Sequence, residues 1–351
     1  MKILIDGRLI SDKQTGISRY TEELLKIYID LHGKENIILI INESSEKNFD
    51  GLKVIKTMYY PFNILHFFKF HKLLQTIEFD IYHSTFYSNS FFKVKNKIYI
   101  TTVHDLMYKL VPNFFRKNSF VNKLAIYYFD FVVKRSLANS DIIIAVSKAT
   151  QNDIMKVYQK KSIVITEGIN DLTTTDERLE IDEKEIVKND YFLYVGNNRP
   201  HKNLDFLKEC YLSSNTTKKL IIVGHKGNNI KEIDKNIIYT GYINDFTLKL
   251  LYKNSSAFVF PSLYEGFGLP ILEAISLDTL VLSSNAGSLS EFGEYNIKYF
   301  NPYKKEELIS LMNNIDNFTF DTKAKNYLLN QYNWDIVKEQ IKNLYKEYIN
   351  V

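Results

Sequence analysis

Pro261-Ser262-Leu263-Tyr264-Glu265-Gly266-Phe267-Gly268-Leu269-Pro270-Ile271-Leu272-Glu273 follows directly on an apolar run, Ala257-Phe258-Val259-Phe260. The run reads as a short buried strand that Pro261 cannot continue. Gly266 and Gly268 let the backbone approach a partner and present its amides. Pro270 suits the first position of a helix, expected over about 270–277. Strand, glycine loop and helix start thus come in order. A helix start leaves N–H groups unpaired and carries partial positive charge, so it seats a phosphate well. Glu265 and Glu273 bracket this seat. Acids beside a phosphate make chemical sense if the ligand also brings hydroxyls, as a sugar nucleotide does. Taken alone, Glu273 could merely complement the helix dipole and Glu265 be a solvated loop acid.

Outward from this stretch, the chain alternates strands and helices. Apolar strand candidates fall at 3–5, 37–41, 52–55, 80–83, 98–104, 141–146 and 163–165, with a helix over 17–31 closed by Gly33. The polar, mostly acidic segment 170–190 reads as a linker. Alternation resumes with strands at 191–195, 219–223, 237–240, 257–260 and 279–283. The fold class is therefore α/β: two doubly wound, Rossmann-like parallel-sheet domains. The first covers 1–175 and the second 190–333. In such sheets ligands sit beyond the carboxyl ends of the strands, where 261–273 lies. An amphipathic C-terminal helix carries Trp334, Val337, Ile341, Leu344 and Tyr348 on one stripe.

Composition narrows the function. The 351 residues carry a formal net charge of +4, which gives nucleic-acid binding no support. One cysteine, Cys210, excludes a disulfide framework and fits a reducing compartment. The N-terminal apolar run is too short for a signal peptide and reads as the first strand. No stretch approaches the roughly 20 apolar residues that span a bilayer. The seven histidines show no metal-ligand spacing, and no Asp-x-Asp occurs.

A second constellation is Val195-Gly196-Asn197-Asn198-Arg199-Pro200-His201-Lys202-Asn203-Leu204, where Asn203 can cap the following helix. Arg199 and Lys202 then occupy a strand-to-helix loop; read alone, they are ordinary surface cations. A third is Thr102-Val103-His104-Asp105-Leu106, in which His104, read alone, is a hydrogen-bonded structural histidine. A fourth is Thr15-Gly16-Ile17-Ser18-Arg19-Tyr20, a capped helix start preceded by Asp6-Gly7-Arg8. Two stretches, 59–72 and 114–135, mix aromatic residues with cations, among them Arg116, Lys117, Lys123, Lys134 and Arg135. Part of each is core helix, and the surplus suggests an interfacial surface.

With its Glu-x7-Glu spacing, 261–273 closely resembles the signature of the retaining glycosyltransferases of family 4, which have the GT-B fold. The resemblance spans nearly the whole chain and is strongest over 191–292. It implies two facing domains, the first binding acceptor and the second donor, with the C-terminal helix of about 334–351 crossing back to the first. It gives Lys202 to the donor pyrophosphate, with Arg199 nearby, and His104 to the donor sugar. Gly16 would present amides to phosphate. Glu265 would meet the donor sugar, and Gly266, Phe267, Gly268 and Leu269 its hydroxyls and phosphate. Glu273 would meet the ribose, and the segment at Tyr242 and Ile243 the base. His104, Lys202 and Glu265 are the catalytic set. The mechanism it implies is front-face attack with the leaving phosphate helping to take the proton, so no protein general base is named. No metal or cofactor is expected. The implied donor is GDP-mannose and the implied acceptor a lipid-linked saccharide or growing polysaccharide of O-antigen, capsule or exopolysaccharide synthesis. The implied location is cytoplasmic, with peripheral contact at the inner membrane face. Competing readings are a dTDP- or UDP-sugar donor, a non-catalytic partner subunit of the same fold, and a sugar-nucleotide epimerase. The chain departs from the family after the helix, where Asp278 and Leu280 replace a glycine and a proline.

Overall fold

The computed structural model describes residues 1–12, 15–61, 63–112, 114, 119–169, 179–180, 190–224 and 235–349, with 64–68 and 119–122 as backbone only. Most of the expected linker lies outside the described residues. So do Arg116, Lys117 and most aromatic side chains between 62 and 68.

Two compact units divide the chain: residues 1–167 with 334–351, and residues 168–333. In the first unit the order is β1 (Ile3–Gly7), α1 (Gly16–His32), β2 (Ile37–Asn42), β3 (Lys53–Thr57), α2 (Ile64–Gln75), β4 (Ile81–Ser84), β5 (Ile98–Val103), α3 (Met107–Leu110), α4 (Ser119–Asn139), β6 (Ile142–Ala145), α5 (Lys148–Tyr158) and β7 (Ile163–Val164). The second runs β8 (Tyr191–Val195), α6 (Leu204–Ser213), β9 (Lys219–Val223), β10 (Ile237–Gly241), α7 (Asp245–Asn254), β11 (Ala257–Phe260), α8 (Leu269–Ser276), β12 (Val281–Ser284), β13 (Ile297–Phe300), α9 (Lys305–Asn313) and α10 (Thr322–Leu329). Last comes α11 (Trp334–Tyr348), which belongs to the first unit.

Each unit is built on a wholly parallel sheet. The first has the order β3-β2-β1-β4-β5-β6-β7 and the second β10-β9-β8-β11-β12-β13. Both faces of a parallel sheet are covered by helices, so its strands read as unbroken apolar runs. Ile37 to Ile41 in β2 and Ala257–Phe260 in β11 are such runs, and all of these residues are buried. β13 escaped the sequence reading because Ile297-Lys298-Tyr299-Phe300 alternates weakly and sits at a sheet edge.

Local signals placed most helix ends. Thr15 caps α1 by accepting from the Ser18 amide at 3.2 Å, and Gly33, at φ 80°, closes it by donating to the Ile29 carbonyl. Ser147 caps α5 through the Thr150 amide. Asn203 does not cap α6 as expected. It stands at the N-cap position with φ 56°, and its side chain donates to the Pro302 carbonyl instead. On α11 the buried stripe is Val337, Ile341, Leu344 and Tyr345, packed with α1 residues Tyr20, Leu24 and Tyr28. Tyr345 rather than the expected Tyr348 faces the core, because 345 lies four residues after 341 and completes the helical stripe; Tyr348 is half exposed. The turn after α8 forms despite its departure from the family pattern. Asp278 adopts the left-handed conformation, φ 62°, that glycine would otherwise supply, and its carboxylate accepts from Lys325.

Candidate active site

β8 and β11 are parallel neighbours, so the loops leaving their carboxyl ends lie side by side. The β8 loop carries Arg199, His201 and Lys202; the β11 loop carries Glu265 to Gly268. A backbone bond of 2.7 Å from the Leu263 amide to the His201 carbonyl ties them together. Lys202 then reaches across, its Nζ 2.8 Å from Glu265 Oε1 and 5.0 Å from the centre of the Phe260 ring. Both side chains of this ion pair are largely buried. An ammonium carries three donors, so the pair leaves Lys202 with capacity for an anion. His201, buried in the same loop, is pushed down to about 4 by burial, so it is neutral at pH 7 and adds no positive charge beside Lys202.

Close backbone approach shapes these loops. A Cβ on Gly224, after β9, would lie 2.0 Å from the Gly196 carbonyl oxygen, so glycine is required there for the β8 loop to fold over. Gly268 has φ 124°, and a Cβ on it would lie 2.8 Å from Leu289 and 2.9 Å from Phe292. It precedes α8, whose first turn has no side-chain cap and contains Pro270. Glu273 lies in the second turn, half-buried. Phe267 is buried edge-on against Phe292 and Tyr332. Ser288 donates to the carbonyls of both Glu265 and Phe267, at 3.0 and 2.7 Å. Ser288 can clamp this loop because it follows β12, which lies beside β11.

Tyr242 and Ile243 follow β10, the sheet edge two strands from β8. At about 4.8 Å per strand, they stand roughly 10 Å from the Lys202 loop. Tyr242 is 78% exposed. Lys202, Glu265, Gly266, Phe267, Gly268 and Leu269 are thus gathered at adjoining strand ends, with Arg199 and Glu273 on the same edge and Tyr242 and Ile243 along it. Among the described residues no group of three His, Cys, Asp or Glu is placed to hold a metal ion.

Gly16 and His104 belong to the first unit. Gly16 opens α1 with no atom within 4 Å of where its Cβ would stand. His104 directly follows β5, buried, with Nδ1 2.9 Å from Glu167 Oε1 and Nε2 2.9 Å from the Thr85 carbonyl. Burial pulls its pKa down, but the Glu167 hydrogen bond and charge overcome that and hold it above the usual imidazole value. Glu167 carried no sequence signal, since it follows the short β7 and meets His104 across 63 residues. Deeper in the unit, His83 is held between Tyr28 and Thr102 hydroxyls, and burial lowers it to about 3. Arg8 is fully buried. It donates to both oxygens of Asp6 and lies over the Phe70 ring at 3.6 Å, so Asp6-Gly7-Arg8 builds a buried ion pair.

On α4, Leu124, Tyr127 and Phe131 form an exposed stripe, with Lys123 and Lys134 exposed beside it. Arg135 stacks on Phe91 at 4.8 Å. Among the described residues no helix is long and apolar enough to cross a membrane.

Residues 16–171 match the family model described as glycosyltransferase family 4, and residues 176–315 the model described as glycosyl transferases group 1. The O-antigen chain mannosyltransferase RfbU of Salmonella typhimurium is 28% identical over 69% of this chain and 67% of its own length. The O-antigen chain mannosyltransferase B of Escherichia coli is 27% identical over 83% of this chain and 84% of its own. Among solved structures, a sucrose-phosphate synthase from Thermosynechococcus elongatus superimposes with a TM-score of 0.73 over 100% of both chains, at 15% identity.

Proposed function

The chain belongs to glycosyltransferase family 4 and has the GT-B fold, and on that premise we propose that it transfers mannose from GDP-mannose, with retention of configuration and without a metal, to a lipid-linked or polysaccharide acceptor. The observation that carries the reading is the Lys202–Glu265 pair at the joined ends of β8 and β11, beside the amides that open α8. A cation, a carboxylate and a helix start at one point suit a ligand that has both phosphates and hydroxyls. The mannosyltransferase relatives favour mannose and an O-antigen acceptor.

In this reading the diphosphate rests against Lys202, with Arg199 and the Gly266 to Leu269 backbone beside it. Glu265 accepts from sugar hydroxyls, Glu273 from the ribose, and the base lies toward Tyr242 and Ile243. The bond between the sugar C1 and phosphate oxygen breaks as the acceptor oxygen bonds to C1 on the same face. The acceptor proton leaves on the departing diphosphate. Negative charge grows on that diphosphate, so Lys202 contributes more in the transition state than in the bound donor. The first unit takes the acceptor, and the exposed α4 stripe with its lysines rests on an anionic lipid surface.

A thermal-shift panel of GDP, UDP, dTDP and their sugars, with and without EDTA, tests this. GDP at 100 times its dissociation constant should stabilise the protein by about 2.7 kcal/mol. If no nucleotide moves the melting point, the reading falls. If UDP or dTDP alone does, the donor assignment falls. NMR of the product's anomeric proton decides between retention and inversion.

A further inference from the structure

We propose that Glu167 is a positioning residue for His104, holding its ring as a doubly protonated imidazolium at the end of β5 during sugar transfer. The inference deepens the reading above and rests on it for the reaction, although the contact itself stands on geometry alone.

The two partners of the His104 ring are a carboxylate oxygen and a backbone carbonyl, each at 2.9 Å. A carbonyl only accepts, and an ionised carboxylate only accepts. With an ionised carboxylate on one side and a carbonyl on the other, both ring nitrogens carry hydrogens, which is the cationic form. The surroundings agree. From α1, Tyr20 turns its ring edge-on to His104 at 4.8 Å and spends its hydroxyl on Thr102. From α5, the Thr150 hydroxyl donates to the His104 carbonyl at 3.2 Å and fixes the backbone. The loop after β4 contributes the Thr85 carbonyl and the Phe86 ring. The charged or titratable groups acting on the ring are Glu167, Asp105 next in the chain, and His83 from β4. The two carboxylates favour the cation; His83 opposes it only if charged, and its own burial keeps it neutral. Burial alone would discharge His104, and Glu167 reverses that.

This arrangement limits what His104 can do. With both N–H groups committed, it neither takes nor gives a proton. It acts as a fixed positive charge, of the kind that favours negative charge developing in a transition state. Glu167 is also the last residue of the chain's first passage through its unit, with Gly168 beginning the next. The same contact therefore anchors the point where the chain leaves that unit.

The test uses the whole chain labelled with 15N-histidine, the His104 signals being assigned by their loss in His104→Gln. In the wild-type protein at pH 7.5, both His104 ring nitrogens should show the shifts of protonated nitrogen. A neutral ring there, with Glu167 carrying the proton, overturns the proposal. Glu167→Gln keeps the shape and removes the charge. It should neutralise His104 at pH 7.5 and lower kcat about ten- to a hundredfold, the range a lost charge-assisted hydrogen bond gives, with donor KM changed less than about threefold. Glu167→Asp should recover part of both. A ring that stays cationic in Glu167→Gln, or unchanged turnover, sinks the idea. Because the NMR readout needs no donor, a failed donor assignment leaves it intact, and a neutral His104 leaves the transferase reading intact.

Discussion

Lys202 Nζ stands 2.8 Å from Glu265 Oε1, although 63 residues separate them, because β8 and β11 are hydrogen-bonded neighbours and each residue leaves the carboxyl end of its strand. The pair is largely buried, so each member is costly without the other.

Lys202→Ala should therefore show two effects. It should lower kcat by roughly ten- to a hundredfold, matching the 1.5–3 kcal/mol of a charge-assisted hydrogen bond, while nucleotide affinity falls less. It should also lower the melting temperature by stranding Glu265, and the double variant with Glu265→Gln should recover part of that loss. Steady-state kinetics and a double-mutant cycle of unfolding check both; near wild-type turnover in Lys202→Ala removes it from the site.

Gly268 and Gly16 respond oppositely to alanine. Gly268→Ala meets Leu289 and Phe292 and forces φ 124° on a residue with a Cβ, so a loss of about 1–3 kcal/mol is expected. Gly16→Ala meets nothing and should leave folding stability unchanged or slightly raised. Any rise in donor KM for Gly16→Ala then reports ligand contact at that backbone. Urea unfolding alongside donor titration separates the two.

Acid should weaken the fold through His83. Its folded pKa is depressed to about 3 by burial, against an unfolded value near 6.5. A depressed histidine contributes stability above the unfolded pKa, and that stability is lost as pH falls below it. Unfolding at pH 5 should take up close to one proton for His83, a slope of about 1.4 kcal/mol per pH unit. His104 works in the other direction, since its raised pKa adds stability at low pH that fades as pH rises through the folded value. Denaturation curves at pH 7, 6 and 5, with ring NMR of His83, check this; a His83 ring that protonates near pH 6.5 in the folded protein contradicts it.

The α4 stripe predicts surface behaviour. Tyr127→Ser with Phe131→Ser should leave unfolding within about 0.5 kcal/mol of wild type, since both residues are exposed. The same pair should weaken flotation with anionic vesicles at low salt. If the wild-type protein never floats, the lipid contact is dropped.

The Glu273→Gln variant complements these. It should weaken nucleotide binding measured by calorimetry and spare turnover at saturating donor, whereas Glu265→Gln should do the reverse. Equal effects from both would merge the two roles assigned to the carboxylates.

The sequence by itself determined every strand except β13, the parallel character of the two sheets, and the strand–glycine loop–helix unit at 257–276. These depend on patterns within a few residues of one another: unbroken apolar runs, proline that stops a strand, glycine that turns, Thr15 and Ser147 that cap. Lys202 and Glu265 came forward only through the resemblance of their stretches to the family 4 pattern, since read alone they are a surface cation and a loop acid. What only the tertiary structure decided were contacts between distant segments. The Leu263–His201 bond, the Ser288 clamp on Glu265 and Phe267, and the Glu167–His104 pair have no local sequence signal, since each depends on which strands lie side by side. The same holds for Asn203, whose residue type suits a cap, yet whose backbone is left-handed (φ 56°) rather than extended as a cap needs, and whose side-chain amide donates to the Pro302 carbonyl. Local chemistry specifies the elements, whereas the pairing of remote loops follows from sheet order, which no short stretch encodes.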